Sequence, residues 1–131
     1  MPVPVPPTPP AEASLQAAIA VVRDYYRAVA TRDYARAYAL WHGGRSYAAF
    51  VRGYAHTRSV RVRFLPPFAA DGGAGSLYTE LKVRVDARLD GGAIRRFGGS
   101  YTLRRVNDVD GSTTTQRHWH IIGARLRPVA A

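Results

Sequence analysis

The spacing of the apolar residues changes near Ser59, and this change constrains the fold more than any other feature of the sequence. Before Ser59, apolar residues recur every three or four positions, as on one face of a helix. After it they alternate with polar residues, as in a strand that buries one face. Because helices and strands then occupy separate parts of the chain, we predict an α+β fold, with helices packed on one face of a curved, mostly antiparallel sheet.

Three helices are predicted in the first part of the chain. The first spans Ala11 to Ala30, and its apolar stripe consists of Leu15, Ala18, Ile19, Val22, Tyr26 and Val29. A short second helix follows a cap at Thr31 or Asp33, runs to Trp41 and ends at Gly43-Gly44. Ser46 caps a third helix, whose apolar residues are Tyr47, Phe50, Val51 and Tyr54.

Four strands are predicted after the helices. The first begins at Ser59, alternates apolar residues with arginines and ends at Pro66-Pro67. Residues 69–75 are predicted to form a glycine-rich loop. The second strand runs from Leu77 to Leu89, and Asp90-Gly91-Gly92 predicts a hairpin turn into the third, which runs from Ala93 to Val106.

Irregular positions are predicted in the last two strands. Gly98-Gly99 indicates a bulge or a sharp bend in the third strand. The sequence Asn107-Asp108-Val109-Asp110-Gly111 predicts a turn, and it lacks the later acidic ligand of a calcium loop. The last strand is predicted from Thr114 to Leu126, with a bulge at Gly123.

The length of 131 residues suits a single domain. Six of the first ten residues are prolines, so we predict a disordered, Pro-rich tether over residues 1–13 and a single domain over residues 14–128. The tether is either a native N-terminus or the spacer left after removal of a signal peptide or lipid anchor. We favour the second origin, which implies a periplasmic or otherwise exported protein. A cytoplasmic protein is the alternative.

The net charge of +10 comes from 19 Lys and Arg residues against nine Asp and Glu residues. All the cations except Lys82 are arginines, and they are spread along the chain. A basic surface suits an anionic partner, but aromatic residues are only weakly interleaved with the arginines, so we do not expect nucleic acid. The absence of cysteine excludes disulfides and thiolate metal sites. The apolar run Ala17–Val22 is too short to span a membrane.

The helical part of the sequence resembles the nuclear transport factor 2-like superfamily. The resemblance rests on the segment from Val22 to Trp41, with Tyr25-Tyr26 in the first helix and Asp33-Tyr34 opening the second. Ser46 to Phe50 resembles the third helix of that superfamily, and His118-Trp119-His120-Ile121 resembles its closing strand. The match covers about residues 14–127.

This resemblance implies a cone-shaped, cystatin-like sheet, with the helices in its concave face and a pocket at the open end. The superfamily includes ketosteroid isomerases, dehydratases and polyketide cyclases, as well as transport factors and exported scaffold domains. Many members dimerise through the sheet, so a homodimer is expected. No catalytic residue of the family could be placed on a matching position.

Three residues are the candidates for acid–base chemistry. Glu80 is the best remaining candidate for a general base, since the other acids are predicted in caps, turns or salt bridges. His118 and His120 are two residues apart and are expected to share a strand face. Two histidines need a third ligand to hold a metal, which His42 or His56 would supply only if the fold brings it near. We expect neither a metal nor a cofactor.

Aromatic residues are the candidates for a ligand pocket. A pocket lined by tyrosines would suit a small, partly apolar ligand. The expected pocket residues are Tyr26, Trp41, Tyr54, Tyr78, Tyr101 and Trp119.

Three functions follow from these features. The leading hypothesis is a non-catalytic accessory domain, exported from a bacterium, that binds a partner or a small apolar ligand at the cone. The second is a small isomerase, dehydratase or cyclase that uses His118 or His120 with tyrosine donors. The third is an anion-binding module.

Overall fold

The computed structural model describes residues 15–68, 70–73, 76–106 and 118–129. These residues form the predicted α+β fold, in which three helices precede and pack against a curved antiparallel sheet. The predicted tether, the turn at Asn107–Gly111 and the first residues of the predicted last strand lie outside the described residues.

Helix α1 spans Leu15–Ala30 and is the helix that the sheet surrounds. Its buried residues are Ala18, Val22, Tyr25, Tyr26, Ala28 and Val29. The buried surface is wider than the predicted stripe, because Tyr25 and Ala28 are also covered. A helix that is enclosed by both a sheet and neighbouring helices buries more than a single stripe.

Helices α2 (Tyr34–Ala39) and α3 (Tyr47–Tyr54) begin at the predicted caps. The Asp33 carboxylate accepts a hydrogen bond from the backbone N–H of Arg36 at 3.3 Å, and the Ser46 hydroxyl accepts one from Ala49 at 3.2 Å. Helix α2 ends before Trp41, contrary to the prediction. Trp41 instead forms a parallel bridge with Ile121, which ties the chain after α2 to the sheet.

Within the described ranges the sheet contains five strands: β1 (Thr57–Leu65), β2 (Ala70–Gly73), β3 (Ser76–Leu89), β4 (Ile94–Val106) and β5 (His120–Pro128). The hydrogen-bonded order is β1-β3-β4-β5, and β2 pairs with the part of β3 that β1 leaves uncovered. The prediction of a loop over residues 69–75 was therefore wrong for residues 70–73. Pairing through the backbone needs no apolar side chains, so this strand left no alternating pattern in the sequence.

Strand β3 shows the clearest separation of the two sheet faces. The side chains of Leu81, Val83 and Val85 are buried against the helices, whereas Lys82 and Arg84 are exposed on the outer face. The predicted alternation is confirmed along the strand. The turn at residues 90–92 joins β3 to β4, with Gly91 and Gly92 both at positive φ.

Among the described strands the register shifts at Ile122 in β5 and between Thr57 and Ser59 in β1, and not at Gly98-Gly99. Strands β4 and β5 pair Thr102 with Gly123 and Leu103 with Ile121, so Ile122 is the extra residue of a bulge. The prediction of a bulge at Gly123 was off by one residue. At Gly99 the pairing is continuous, and the glycine serves the close approach of β5 instead: a Cβ there would lie 1.7 Å from the Arg125 carbonyl oxygen.

The core between the helices and the sheet is rich in aromatic rings. The Tyr25 ring lies at its centre, with four other aromatic rings between 5.0 and 6.2 Å away, those of Tyr26, Trp41, Phe50 and Tyr54. These contacts, edge-to-face except for the tilted one with Phe50, hold α1 to α3 and to the segment at Trp41. None of the described helices has the length and hydrophobicity that crossing a bilayer requires.

Candidate ligand cavity

A cavity of about 290 Å³ lies between the helices and the inner face of the sheet, at the end that carries the β3–β4 hairpin. The residues that line it come from α1, from α3 and the residues flanking it, and from β1, β3, β4 and β5. They are Tyr26, Arg45, Gly53, Tyr54, Thr57, Val60, Val85, Ala87, Leu89, Arg95, Phe97 and Leu126.

The wall of the cavity is apolar because β1, β3, β4 and β5 present inward-facing apolar residues there. Val85, Ala87 and Leu89 are alternate residues of β3, and Phe97 of β4 lies beside Val85 on the same face of the sheet. Such a wall favours an apolar ligand body, since its burial removes apolar surface from water.

Four tyrosine hydroxyls form two hydrogen-bonded pairs beside the cavity. Tyr26 pairs with Tyr101, and Tyr25 pairs with Tyr54 at 2.7 Å between the hydroxyl oxygens. Each pair uses one hydroxyl proton internally and keeps a second that can be donated elsewhere. Tyr26 and Tyr54 line the cavity, so their hydroxyls are among the donors available to a ligand there.

Burial raises the pKa of all four hydroxyls. For Tyr25, Tyr26 and Tyr101 the pKa lies far above the ordinary value, chiefly because the phenolate would be desolvated. The pKa of Tyr54 is also raised by burial, although the hydrogen bond from Tyr25 and the charge of Arg45 oppose the shift. The four hydroxyls are therefore neutral donors at neutral pH, and none of them serves as a base.

Two arginines add positive charge to the cavity lining. The Tyr38 hydroxyl donates to the backbone carbonyl of Arg45 at 2.8 Å, which helps to fix this residue after the turn at Gly43-Gly44. The Arg45 guanidinium lies against Gly53, where a Cβ would come within 3.3 Å of its Nη1. Arg95 reaches the cavity from β4, beside Ala87 of β3.

The structure brings together only part of the predicted pocket. Tyr26 and Tyr54 line the cavity, and Tyr101 reaches it through its hydrogen bond to Tyr26. Trp119 is buried in the core and does not line the cavity, and Trp41 borders a separate hollow of about 80 Å³.

Tyr78 is the predicted pocket residue that lies farthest from this arrangement. It is 40% exposed on the outer face of the sheet, where the Arg104 guanidinium carbon lies 5.8 Å from the centre of its ring. The alternation of β3 explains this position, since Tyr78 occupies the same face as Lys82 and Arg84.

The three candidate acid–base residues do not line the cavity. Glu80 is exposed on the outer face of β3. His118 is exposed and precedes β5, whereas His120 begins that strand and is buried, so the two histidines do not share a strand face as predicted. Among the described residues that line the cavity there is no carboxylate and no imidazole.

His120 instead forms a pair with His42. The two rings are stacked with their centres 3.5 Å apart, and the His42 backbone N–H donates to the Ile121 carbonyl at 2.9 Å. Burial and the neighbouring His42 lower the pKa of His120, although a hydrogen bond with the His118 carbonyl opposes the shift. In the described part of the chain, no group of three or more His, Asp or Glu residues is placed to hold a metal ion.

Sequence reasoning missed several residues of the cavity. Nothing in the sequence singled out Arg45, Arg95 or Thr57 as residues of a pocket. Alternation along β4 is the signal that could have found Phe97, which is paired with the inward-facing Val85. The missing signal for Arg45 is tertiary: its position depends on the Tyr38 hydroxyl and on the space above Gly53.

Comparison with solved structures identifies proteins of similar architecture. A scytalone dehydratase candidate from Novosphingobium aromaticivorans superposes with a TM-score of 0.60 at 15% identity, covering 88% of this chain and 84% of that one. A nuclear transport factor 2-like superfamily protein from Salmonella enterica gives a TM-score of 0.58 at 12% identity, with coverages of 88% and 91%. A dehydratase candidate of the same family from Streptomyces avermitilis gives 0.56 at 12% identity, with coverages of 89% and 97%.

No protein-family model matches the sequence, and no curated protein matches it significantly. At 12–15% identity the structural likenesses bear on the fold alone. They agree with the helix order and the curved sheet described above, and with the resemblance of the helical segment. The chain therefore has the nuclear transport factor 2-like fold.

Proposed function

We propose that this chain is a non-catalytic domain that binds a small, largely apolar ligand with an anionic end group. The observation that carries the proposal is the lining of the cavity: an apolar wall, neutral tyrosine donors and two arginines, with no carboxylate or imidazole among the described lining residues. An apolar body would lie against the β3 wall, and the anionic group would lie near Arg45 or Arg95.

The size of the cavity limits the ligand. At about 290 Å³ it lies at the lower end of the range for small-molecule sites, so the ligand is small. Arginine forms paired, charge-assisted hydrogen bonds with a carboxylate, which are stronger than bonds between neutral groups. A small aromatic or aliphatic carboxylate satisfies both features.

A matched pair of probes tests the proposal. Calorimetric titration would compare 2-naphthoate with 2-naphthamide, which has the same size and shape but no charge. We expect the acid to bind about tenfold more tightly than the amide, because one charge-assisted bond contributes about 1.4 kcal/mol. Arg45→Gln and Arg95→Gln should remove this preference, whereas Arg36→Gln, an exposed change of the same charge on α2, should not.

A variant that fills the cavity tests whether the probes bind there, whatever their charge. Ala87→Phe should abolish the binding of both probes while circular dichroism shows a folded protein. Equal affinities for the two probes would refute the anionic end group of the ligand, but not the cavity as its binding site. Unchanged binding in the Ala87→Phe variant would refute the cavity as the ligand site.

An enzyme of the dehydratase or isomerase type is the second candidate. The Tyr26 hydroxyl borders the cavity and is hydrogen-bonded to Tyr101, which suits polarisation of a carbonyl group, and two proteins of similar fold are dehydratase candidates. Exchange of the α-protons of 2-tetralone in D2O, followed by proton NMR, tests for proton abstraction. We expect no acceleration over buffer. An acceleration that disappears in Tyr26→Phe would establish the enzymatic function instead.

Export and dimerisation through the sheet stay separate predictions, which the assignment of the ligand cavity does not require. The Pro-rich residues 1–13 support a tether outside the cytoplasm, and fractionation of cells that express a tagged chain would test this location. The homodimer expected from the family resemblance would be tested by sedimentation velocity.

A further inference from the structure

The outer face of the sheet carries a cluster of five cations that the cavity does not use. Two neighbouring rows of side chains cross the sheet there. One row contains Arg63, Arg84, Gly98 and Arg127, and the next contains Leu65, Lys82, Ser100 and Arg125. All five charged side chains are exposed. We refer to Arg63, Lys82, Arg84, Arg125 and Arg127 as the basic cluster.

The basic cluster contains like charges at close range and no acid within its two rows. Arg63 lies directly opposite Arg84 across the β1–β3 pair, an arrangement that opposes folding. The adjacent row differs, because Asp86 lies there between Arg61 and Arg96. Its Oδ1 forms an ion pair with Nε of Arg96 at 3.6 Å. Concentrated repulsion of this kind is relieved when an anion binds.

Gly98 shapes the surface at the centre of the basic cluster. A Cβ at this position would lie 2.7 Å from Nη1 of Arg84, so the guanidinium lies across the space that a side chain would fill. A shallow groove of about 420 Å³ results, with Leu65 and Val129 at its edges and Arg125 and Arg127 on β5. Arg84 and Arg127 are two strand spacings apart, or about 10 Å.

The chemistry of the groove favours one kind of partner. Interfaces between folded proteins are usually centred on aromatic or apolar anchors, and the centre of this patch consists of cations and a glycine. Stable attachment to a membrane combines charges with inserted apolar side chains, and here Leu65 and Val129 lie only at the edges of the groove. A phosphate backbone needs neither, since guanidinium groups bind phosphate oxygens in pairs and the release of counterions drives association.

We propose that the basic cluster binds the phosphate backbone of a nucleic acid, independently of base sequence. The expectation of no nucleic acid rested on the weak interleaving of aromatic residues, which matters for stacking on single strands. Contacts with the backbone of a duplex require only positioned cations and small polar groups, here with the Ser100 hydroxyl between Lys82 and Arg125.

The test is the salt dependence of binding to a short labelled DNA duplex, measured by fluorescence anisotropy. Five phosphate contacts predict a slope of about −4.5 for the logarithm of affinity against the logarithm of salt concentration. Affinity should then fall about 500-fold between about 50 and 200 mM salt. The double variant Arg84→Gln/Arg127→Gln should reduce the slope by about two.

A control of equal net charge distinguishes binding by the basic cluster from attraction by the overall positive charge of the protein. Arg36→Gln/Arg52→Gln removes two exposed arginines from α2 and α3, so its net charge matches that of the cluster variant. We expect the slope of this control to stay within about 0.5 of the parent value. Equal losses of slope in both double variants would overturn the proposal.

Two further probes identify the partner class. Vesicles with anionic lipid headgroups and a poly-glutamate peptide should bind more weakly than the duplex at equal salt. Tighter binding to either of them, in a manner that depends on Arg84 and Arg127, would also overturn the proposal. Thermal unfolding of each variant confirms that the compared proteins are folded. The assignment of the ligand cavity does not depend on whether the duplex binds.

Discussion

Gly99 sets how closely β4 and β5 approach each other. A side chain at this position would collide with backbone atoms, the Arg125 carbonyl oxygen and the Leu126 Cα, rather than with a movable side chain. The sequence indicated an unusual position at Gly98-Gly99, but it could not show that the cause is a neighbouring backbone. Two adjacent glycines thus have separate roles: Gly98 makes room for the Arg84 guanidinium on the outer face.

Replacing Gly99 with alanine should strongly destabilise the fold. Because the new Cβ would lie 1.7 Å from the Arg125 oxygen, β5 must move, and we expect a loss of about 3 kcal/mol in the free energy of unfolding. Urea denaturation measures the loss. Gly123→Ala is the matched control, because a Cβ there meets no atom within 4 Å, and it should change stability by less than about 0.5 kcal/mol.

The hydroxyl pair of Tyr26 and Tyr101 provides a second prediction for single residues. Tyr26→Phe leaves the Tyr101 hydroxyl buried without its partner and should cost about 2 kcal/mol. Tyr101→Phe should cost less, because the Tyr26 hydroxyl borders the cavity and water can reach it there. The double variant should be closer to the parent than the sum of the single changes, since it leaves neither hydroxyl unsatisfied.

Chemical denaturation of the four proteins forms a double-mutant cycle for this pair. A coupling free energy near zero would show that the two hydroxyls do not depend on each other, contrary to the structure. Circular dichroism of the double variant checks that the aromatic core keeps its packing.

Helices and long strands could be predicted from the sequence because their periodicity is a direct result of burial on one face. The pattern of β3 identified every inward-facing residue from Leu81 to Ala87. It failed for Ala70–Gly73, where two of the four residues are glycines and no apolar alternation exists, and for Tyr25, which is buried because other elements enclose α1. The cavity follows from how these elements meet, which explains why Tyr26 and Tyr54 were predicted and Arg45 and Arg95 were not.

The start of β5 should make stability sensitive to pH. The pKa of His120 is lowered in the folded protein, so below pH 6.5 the unfolded chain binds more protons than the folded one. The contribution of His120 to the free energy of unfolding is therefore fully present above about pH 6.5. It is lost as the pH falls toward the pKa of His120 in the folded protein. The groups that face or flank His120 are His42, His118 and Arg104, the last being its register partner on β4.

Urea denaturation at several values between about pH 5 and pH 8 measures this effect. The His120→Gln variant should lose less stability on acidification than the parent, and His42→Gln should have a smaller effect in the same direction. A His120→Gln variant whose stability falls with pH as steeply as that of the parent would contradict the assignment.

At the scale of the whole molecule, the four buried tyrosine hydroxyls should make the fold sensitive to alkali. Burial raises the pKa of Tyr25, Tyr26, Tyr54 and Tyr101, so above pH 10 the unfolded chain binds fewer protons at these groups than the folded one. Stability is full below about pH 10 and then falls, by about 1.4 kcal/mol per pH unit for each tyrosine that stays protonated in the fold.

Thermal unfolding between about pH 8 and pH 11, followed by far-ultraviolet circular dichroism, tests this expectation. Absorbance at a phenolate wavelength should show that these four residues ionise together with unfolding. If they ionise while the circular dichroism signal is still that of the folded protein, solvent reaches the hydroxyls and their burial is contradicted. The double variant Tyr26→Phe/Tyr101→Phe should tolerate alkali better than the parent.

Strand β3 carries side chains of the cavity on one face and side chains of the basic cluster on the other. Val85 and Ala87 face the cavity, and Lys82 and Arg84 face the groove, within one stretch of six residues. Substitutions at alternate positions can therefore alter one surface and spare the other, so each can evolve or be redesigned separately. Insertion of a single codon in this stretch would exchange the faces of the residues beyond it, and it should be tolerated far less than any substitution there.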